Sequence, residues 1–278
     1  MELKHIATRQ GRLSSFLKEE MGMSSGLMNR VKWQHKIFVN GVPRHNDYAV
    51  QPGDVITVPL EEETPQYPAE DGEITILYED AHILAVDKPA GMLIHPSRAT
   101  MTGTLANRVQ GYYQKTGQNC AFHPITRLDR DTFGVVLIAK NAHIHSKFTQ
   151  MQTAGQLQKT YEALVVGCPK ETEGVIDVPI ARKPLPSLLR YVDSSGKPCI
   201  TRYKVLKKGE ISHLRLQPVT GRTHQLRVHC AYMGFPILAD PQYGEKIEGQ
   251  TQHLCAKSIT FPHPVSGETM TISSQMNP

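Results

Sequence analysis

Between His123 and Gly134 the chain places Arg127, Asp129, Arg130 and Asp131 within five residues, directly before the apolar run Val135–Ala139. A short apolar run rich in β-branched residues reads as a buried strand. The charges therefore sit on a loop held against the core, where solvation must be shared with pairing. A carboxylate in such a place needs a cationic or hydrogen-bonding partner, which is also how active-site acids are built. On spacing alone the same residues also describe a solvated turn, so the choice rests on what else the chain contains.

Metal chemistry finds no support in the spacing. His143 and His145 stand two apart on an expected helix, which separates their rings. His224 and His229 stand five apart and converge poorly. Cys120, Cys168, Cys199, Cys230 and Cys255 form no C-x-x-C pair, so neither a zinc site nor a disulfide framework is expected.

The elements that must position the charged loop belong to a chain of 278 residues, long enough for one large domain and a small one. Its formal charge of +5 is unevenly spread. Residues 1–60 carry a net +3, residues 61–80 a net −8 and residues 81–278 a net +10. Two basic bodies flanking an acidic connector suit a polyanion such as nucleic acid. No apolar run approaches membrane-spanning length and the start carries no signal region, so the expectation is a cytoplasmic protein with no membrane association.

Residues 12–32 read as two short helices, one with Leu13, Phe16 and Leu17 on its apolar face, the other with Leu27, Met28 and Val31. Ile37–Val42 enters an Asn-Gly turn, and Gln51-Pro-Gly-Asp54 precedes a closing strand. The result is a small α/β module over residues 1–60. Trp33, beside Lys32, is suited to stacking on a base, but a core or hinge contact is the expectation. Residues 61–73 hold six acids, two prolines and almost nothing to bury, and read as a linker that stays off any RNA-binding face. Residues 74–278 read as one domain. It comprises a hairpin over Ile74–Asp87, a helix from Leu105 capped by Thr104, a helix capped by Asn141, a strand over Lys159–Val166 and a helix opened by Gly221. Many strands with scattered helices make an α+β fold with a mixed, mainly antiparallel sheet and flanking helices.

Two resemblances follow from ordered motifs. The N-terminal order Arg-Leu-x-x-x-Leu, Arg30-Val-Lys32, Ile-x-Val-Asn-Gly and Pro-Gly-Asp-x-Ile resembles the RNA-binding module first known from small-subunit ribosomal protein four. It implies phosphate contacts from Arg12, Arg30, Lys32 and Lys36. Further on, Lys88-Pro-x-Gly-x-x-Ile-His95, Arg127-Leu-Asp129, Lys159-x-Tyr161-x-Ala, Gly221-Arg-Thr-His-Gln-Leu-Arg227 and Asp240-x-x-Tyr-Gly244 resemble, in that order, the RluA family of RNA pseudouridine synthases.

That resemblance implies a cofactor-free, metal-free isomerisation of uridine in ribosomal or transfer RNA. The bond from uracil nitrogen 1 to the anomeric carbon breaks, the base turns, and its carbon 5 joins the sugar. Asp129 would act as nucleophile on the anomeric carbon or as base at the neighbouring ribose carbon. It would be kept ionised by Arg222, whose guanidinium suits a carboxylate bidentately. Tyr161 would stack on the uracil and help remove the carbon 5 proton. Arg127 would prise out the nucleotide or contact its backbone, and Lys88, His95, Lys159, Thr223, Gln225 and Leu226 are carried over as substrate-binding residues. The chain departs from the family pattern at Thr126 and Phe133 in the aspartate motif, at Ala239 where Gly is usual, and at Cys255 where His is common. No nucleotide-flipping His is therefore carried over at position 126. The competing readings are a catalytically silent RNA-binding protein on the same fold, and a nucleoside or glycoside hydrolase pairing Asp129 with Asp131. The expected partner is RNA and the expected state a monomer.

Overall fold

In the computed structural model, which describes residues 2–60, 64–97 and 99–278, the chain builds a four-stranded and a ten-stranded sheet around separate cores, with two further two-stranded pairs. The linker residues Glu61, Glu62 and Glu63 lie outside the described residues. The N-terminal module contains strands β1 (Glu2–Ile6), β2 (Gly11–Arg12), β3 (Phe38–Val39), β4 (Val42–Pro43), β5 (Ala49–Val50) and β6 (Val55–Pro59). Its helices are α1 (Leu13–Ser15), which runs into a π-helical stretch Phe16–Glu20, and α2 (Ser25–Trp33). Ser24 caps α2, its hydroxyl accepting from Leu27 N at 3.2 Å. Leu13, Phe16, Leu17, Val31, Val39, Val50, Ile56 and Val58 close one apolar core. The sheet order is β1-β6-β3-β4, with β3 and β4 joined by the expected Asn40-Gly41 turn. Sequence reading did not anticipate β1, which pairs antiparallel with β6 at the far end of the module.

The larger domain contains β7 (Thr75–Glu79), β8 (Ile83–Lys88), α3 (Leu105–Lys115), β9 (His123–Pro124), β10 (Phe133–Ala139), α4 (Ala142–Thr153), β11 (Gln158–Val166) and β12 (Glu173–Asp177). It continues with β13 (Ile180–Arg182), β14 (Arg190–Val192), β15 (Ile200–Lys207), β16 (Ile211–Pro218), α5 (Gln225–Tyr232), β17 (Leu254–Pro262) and β18 (Thr269–Ser273). Ten of these strands form one sheet, ordered β12-β15-β16-β11-β17-β10-β8-β7, with β18 on β17 and β9 on β10. Only β10 and β17 run parallel, so the sheet is mainly antiparallel as expected.

Central strands are apolar on both faces because helices cover both. On β8, Leu84 and Val86 pack with Leu105 and Val109 of α3, while Ile83 and Ala85 pack with Ile144 and Phe148 of α4. Gly134 admits the parallel neighbour: it has φ 109°, and a Cβ there would lie 2.4 Å from the Ala256 carbonyl oxygen. That close approach fixes the end of the charged loop against β17.

The acidic segment does more than connect. Tyr67 packs edge-on against Phe122, and its hydroxyl lies 3.3 Å from His95 Nδ1. The Glu70 N–H donates to the Asn107 carbonyl at 3.1 Å, Asn107 Nδ2 donates to the Pro68 carbonyl at 2.9 Å, and the Glu70 carboxylate accepts from Gly103 N at 2.7 Å. Residues 64–73 thus form a strap across α3, held by these hydrogen bonds and by Tyr67, while most of its side chains stay exposed as expected.

Candidate functional site

The Asp129 loop, residues 125–132, is tied down at several points before any substrate is considered. Thr126 is buried and its hydroxyl accepts from Leu137 N at 3.0 Å. Thr132 accepts from Gln252 Nε2 at 2.6 Å. Arg130 grips Asp131 with two bonds of 3.1 Å. Lys88, fully buried, donates from Nζ to the carbonyls of Pro89, Met92 and Arg130 at 2.8, 2.9 and 2.9 Å. Burial pushes the Lys88 pKa down to about 8, against the pull of Asp131 and Asp129. Lys88 therefore fastens the loop from beneath, which corrects its expected place among substrate-binding residues.

Asp129 meets its cation in α5. Arg227 Nη1 donates to Asp129 Oδ2 at 3.0 Å, while its Nε and Nη2 donate to the two oxygens of Asp240 at 2.7 and 2.8 Å. Nη2 also reaches Gln242 Oε1 at 2.9 Å. Asp240 is wholly buried. Burial alone would raise its pKa, but the hydrogen bonds and charge of Arg227 hold it below the ordinary carboxylate value, helped by the backbone N–H groups of Gln242 and Tyr243. Burial likewise works against Arg227, and its carboxylate partners keep it charged.

Arg222 is not that partner. Its Nε lies 3.3 Å from the Pro198 carbonyl, and its backbone N–H donates to Gln225 Oε1 at 2.9 Å. The reason is where the helix begins. His224 takes a left-handed φ of 57°, so α5 starts at Gln225 rather than Gly221. Arg227 then lies in the first helical turn and faces the loop, whereas Arg222 stays on the exposed turn before it. His224 is accordingly outside the helix, with Nδ1 at 2.7 Å from the Tyr243 hydroxyl and Nε2 at 3.9 Å from Asp129 Oδ2. Burial lowers its pKa, opposed by the nearby charge of Asp129. The Tyr243 hydroxyl in turn accepts from Arg190 N at 2.9 Å.

Gln225 is also structural. Its Oε1 accepts from Thr220 Oγ1 and Arg222 N, both at 2.9 Å, and its Nε2 donates to Ile200 O and Thr201 Oγ1 at 2.9 and 3.0 Å. Its expected substrate contact gives way to this four-fold satisfaction within the protein. Ala239 has φ 57°, a left-handed conformation that costs an alanine strain and explains why Gly suits this position.

These elements enclose a cleft of about 510 Å³. Asp129, Tyr161, Arg222, Arg127, His95, Lys159, Thr223, Gln225 and Leu226, drawn from segments far apart in sequence, all line it, as do His224 and Arg227. Asp131 does not, which removes the paired-acid geometry of the hydrolase reading. Tyr161 sits at a register shift of β11 between Thr160 and Glu162, and such bulges re-aim side chains. Burial, then the charge of Asp129, drive its phenol pKa upward, so the ring is presented neutral. Burial lowers the Lys159 pKa, and burial with Arg127 lowers that of His95. The arrangement is a half-open slot with a fixed carboxylate, a flat ring and cations at the mouth. In the N-terminal module, Arg12 and Arg30 are exposed and Lys32 and Lys36 half-buried, apart from this cleft. Among the described residues, no group of three or more His, Cys, Asp or Glu could hold a metal ion.

The sequence profile of the RNA pseudouridylate synthase family matches residues 82–232, which span the Asp129 loop, Tyr161 and α5. The chain belongs to this family. It is an RNA pseudouridine synthase of the RluA type, an isomerase acting on RNA. An uncharacterized RNA pseudouridine synthase of Bacillus subtilis, YjbO, is 35% identical over 256 residues, covering 90% of each chain. The ribosomal large subunit pseudouridine synthase D of Pseudomonas aeruginosa is 32% identical over 252 residues, 84% of this synthase and 78% of its own length. In three dimensions the synthase resembles human RNA pseudouridylate synthase domain containing 1, with a TM-score of 0.63 at 24% identity over 76% of this chain and 86% of that one. That likeness concerns the fold. No described helix is long and apolar enough to cross a membrane.

Proposed function

We propose that the synthase converts specific uridines of structured RNA, ribosomal RNA first and transfer RNA second, to pseudouridine with Asp129 as the reacting carboxylate. The observation that carries this reading is the Arg227 bridge. One guanidinium spends two donors on buried Asp240 and aims a third at Asp129. A carboxylate so held has one oxygen paired with a fixed cation and the other left for the sugar. That oxygen serves as nucleophile on the anomeric carbon or as base at the neighbouring ribose carbon. Tyr161 stacks on the uracil, and Arg127, Lys159, Arg222 and Thr223 meet the nucleotide at the cleft mouth. Extruding the target costs a few kcal/mol, which phosphate contacts offset, including those of Arg12, Arg30, Lys32 and Lys36 in a module resembling that of small-subunit ribosomal protein four. The relative whose name specifies the large ribosomal subunit supports ribosomal RNA as first candidate.

The test is pseudouridine mapping of total RNA from cells lacking the protein, complemented with wild type or Asp129→Asn. Sites lost in the deletion and restored only by wild type support the assignment and name the RNA. Restoration by Asp129→Asn removes Asp129 from the chemistry.

A further inference from the structure

Trp33 is the only tryptophan of the chain, and its side chain is 80% exposed rather than packed in a core or hinge. The build of α2 explains why it is held out. Leu27, Met28 and Val31 turn to the core of the N-terminal module. Gly26, Asn29, Arg30 and Trp33 then share the opposite face, and all four are exposed. The helix stops directly afterwards: His35 takes φ 54°, Lys36 N donates to the Val31 carbonyl at 2.9 Å, and Ile37 is buried. The indole is therefore mounted on a rigid helix end.

Its surroundings select the partner. Residues 21–46 contain Arg30, Lys32, Lys36 and Arg44 and no carboxylate. Glu19 and Glu20, just before them, are engaged by Arg9 and His5. A flat ring within a cationic run matches a nucleobase, whose face stacks on the ring while its phosphates meet the cations. A membrane or an apolar protein groove would require a cluster of apolar side chains, and Gly26, Asn29 and Arg30 supply none. We propose that Trp33 is a stacking platform for an unpaired base of the RNA, so that the N-terminal module selects a loop, bulge or single-stranded end over a continuous duplex. Bases inside a duplex have both faces occupied and cannot offer one. The proposal rests on the RNA-binding reading of this module.

The full-length chain carries its own probe, because emission excited beyond the tyrosine band comes from Trp33 alone. Short single-stranded RNA is expected to quench that emission. A blunt duplex of equal length is expected to leave it unchanged, at a salt concentration where mobility shifts show both bound. Trp33→Ala is expected to weaken single-strand binding about tenfold, with duplex binding unchanged, while Trp33→Phe keeps a ring and most of the affinity. Unquenched emission with single-stranded RNA bound, equal quenching by duplex, or wild-type affinity in Trp33→Ala each overturns the proposal. So does emission that follows protein concentration and dimerisation in sedimentation, which would assign the indole to a second copy. Pseudouridine formation by Trp33→Ala at saturating RNA separates the two readings. Its persistence alongside any overturning result removes base capture and leaves the synthase assignment, whereas failure of the full chain to bind any RNA overturns both.

Discussion

In the cleft, Arg227 lies buried among its acceptors, whereas Arg12 and Arg30 of the N-terminal module stand at the surface. The same side chain serves opposite ends. Inside, it is indispensable to its neighbours, because Asp240 has no water to turn to. Outside, each cation adds a modest, salt-screened increment to whatever polyanion approaches. Loss of a cation should therefore be read out as folding and turnover in the first region, and as affinity and salt dependence in the second.

The largest effect tests the cleft. Asp129→Asn is expected to lower the rate of pseudouridine formation by roughly 10³-fold or more while leaving the circular dichroism spectrum and RNA affinity near wild type. Single-turnover kinetics on the mapped RNA checks it.

Next, Arg227→Ala is expected to cost about 3–5 kcal/mol in urea unfolding, because it strands the buried Asp240 charge. Arg222→Ala, five residues away on an exposed turn, is expected to change stability by less than about 0.5 kcal/mol and to raise KM with little change in kcat. Equal destabilisation by the two would erase the contrast between them.

A third expectation concerns His143, buried with neither ring nitrogen hydrogen-bonded. Burial, then the nearby Lys147 and His82 charges, push its pKa down to about 4. An unfolded imidazole titrates near 6.5, so between about pH 6.5 and pH 4 the unfolded chain gains a proton that the folded one refuses. The neutral ring's advantage is thus fully present above pH 6.5 and declines as pH falls, by on the order of 2 kcal/mol by pH 5. Urea midpoints at pH 7 and pH 5, compared with those of His143→Leu, measure this share.

Smallest is the module. Replacing both Arg12 and Lys32 by Gln is expected to reduce the slope of log affinity against log salt by about 1–2 without altering kcat at saturating RNA. A loss of kcat instead would place these cations with the cleft.

Much of this arrangement was readable in the sequence, and the misses have physical causes. The β-branched run after Asp129, the Thr104 and Asn141 caps and the Asn40-Gly41 turn all declare themselves through local chemistry. The choice between Arg222 and Arg227 does not, because both belong to one seven-residue motif. It turns on the left-handed backbone of His224, a non-glycine residue that gives no compositional warning. Strand β1 stayed hidden because Lys4 and His5 interrupt its alternation and its partner β6 lies about a module's length away. The acids of residues 61–73 advertised solvent and masked the packing of Tyr67. Trp33 ran against hydrophobic expectation, and only the helix phase reveals that it faces outward.

The strap over α3 sets where this protein can be divided. A Cβ on Gly111 would lie 2.0 Å from the Glu70 carbonyl oxygen, so helix and strap are fitted to each other as closely as two strands of a sheet. A fragment begun at residue 74, where the composition changes, would lose Tyr67 from the wall beside His95 and leave Asn107 and Gly103 without their partners. A fragment that keeps this packing has to start ahead of Tyr67.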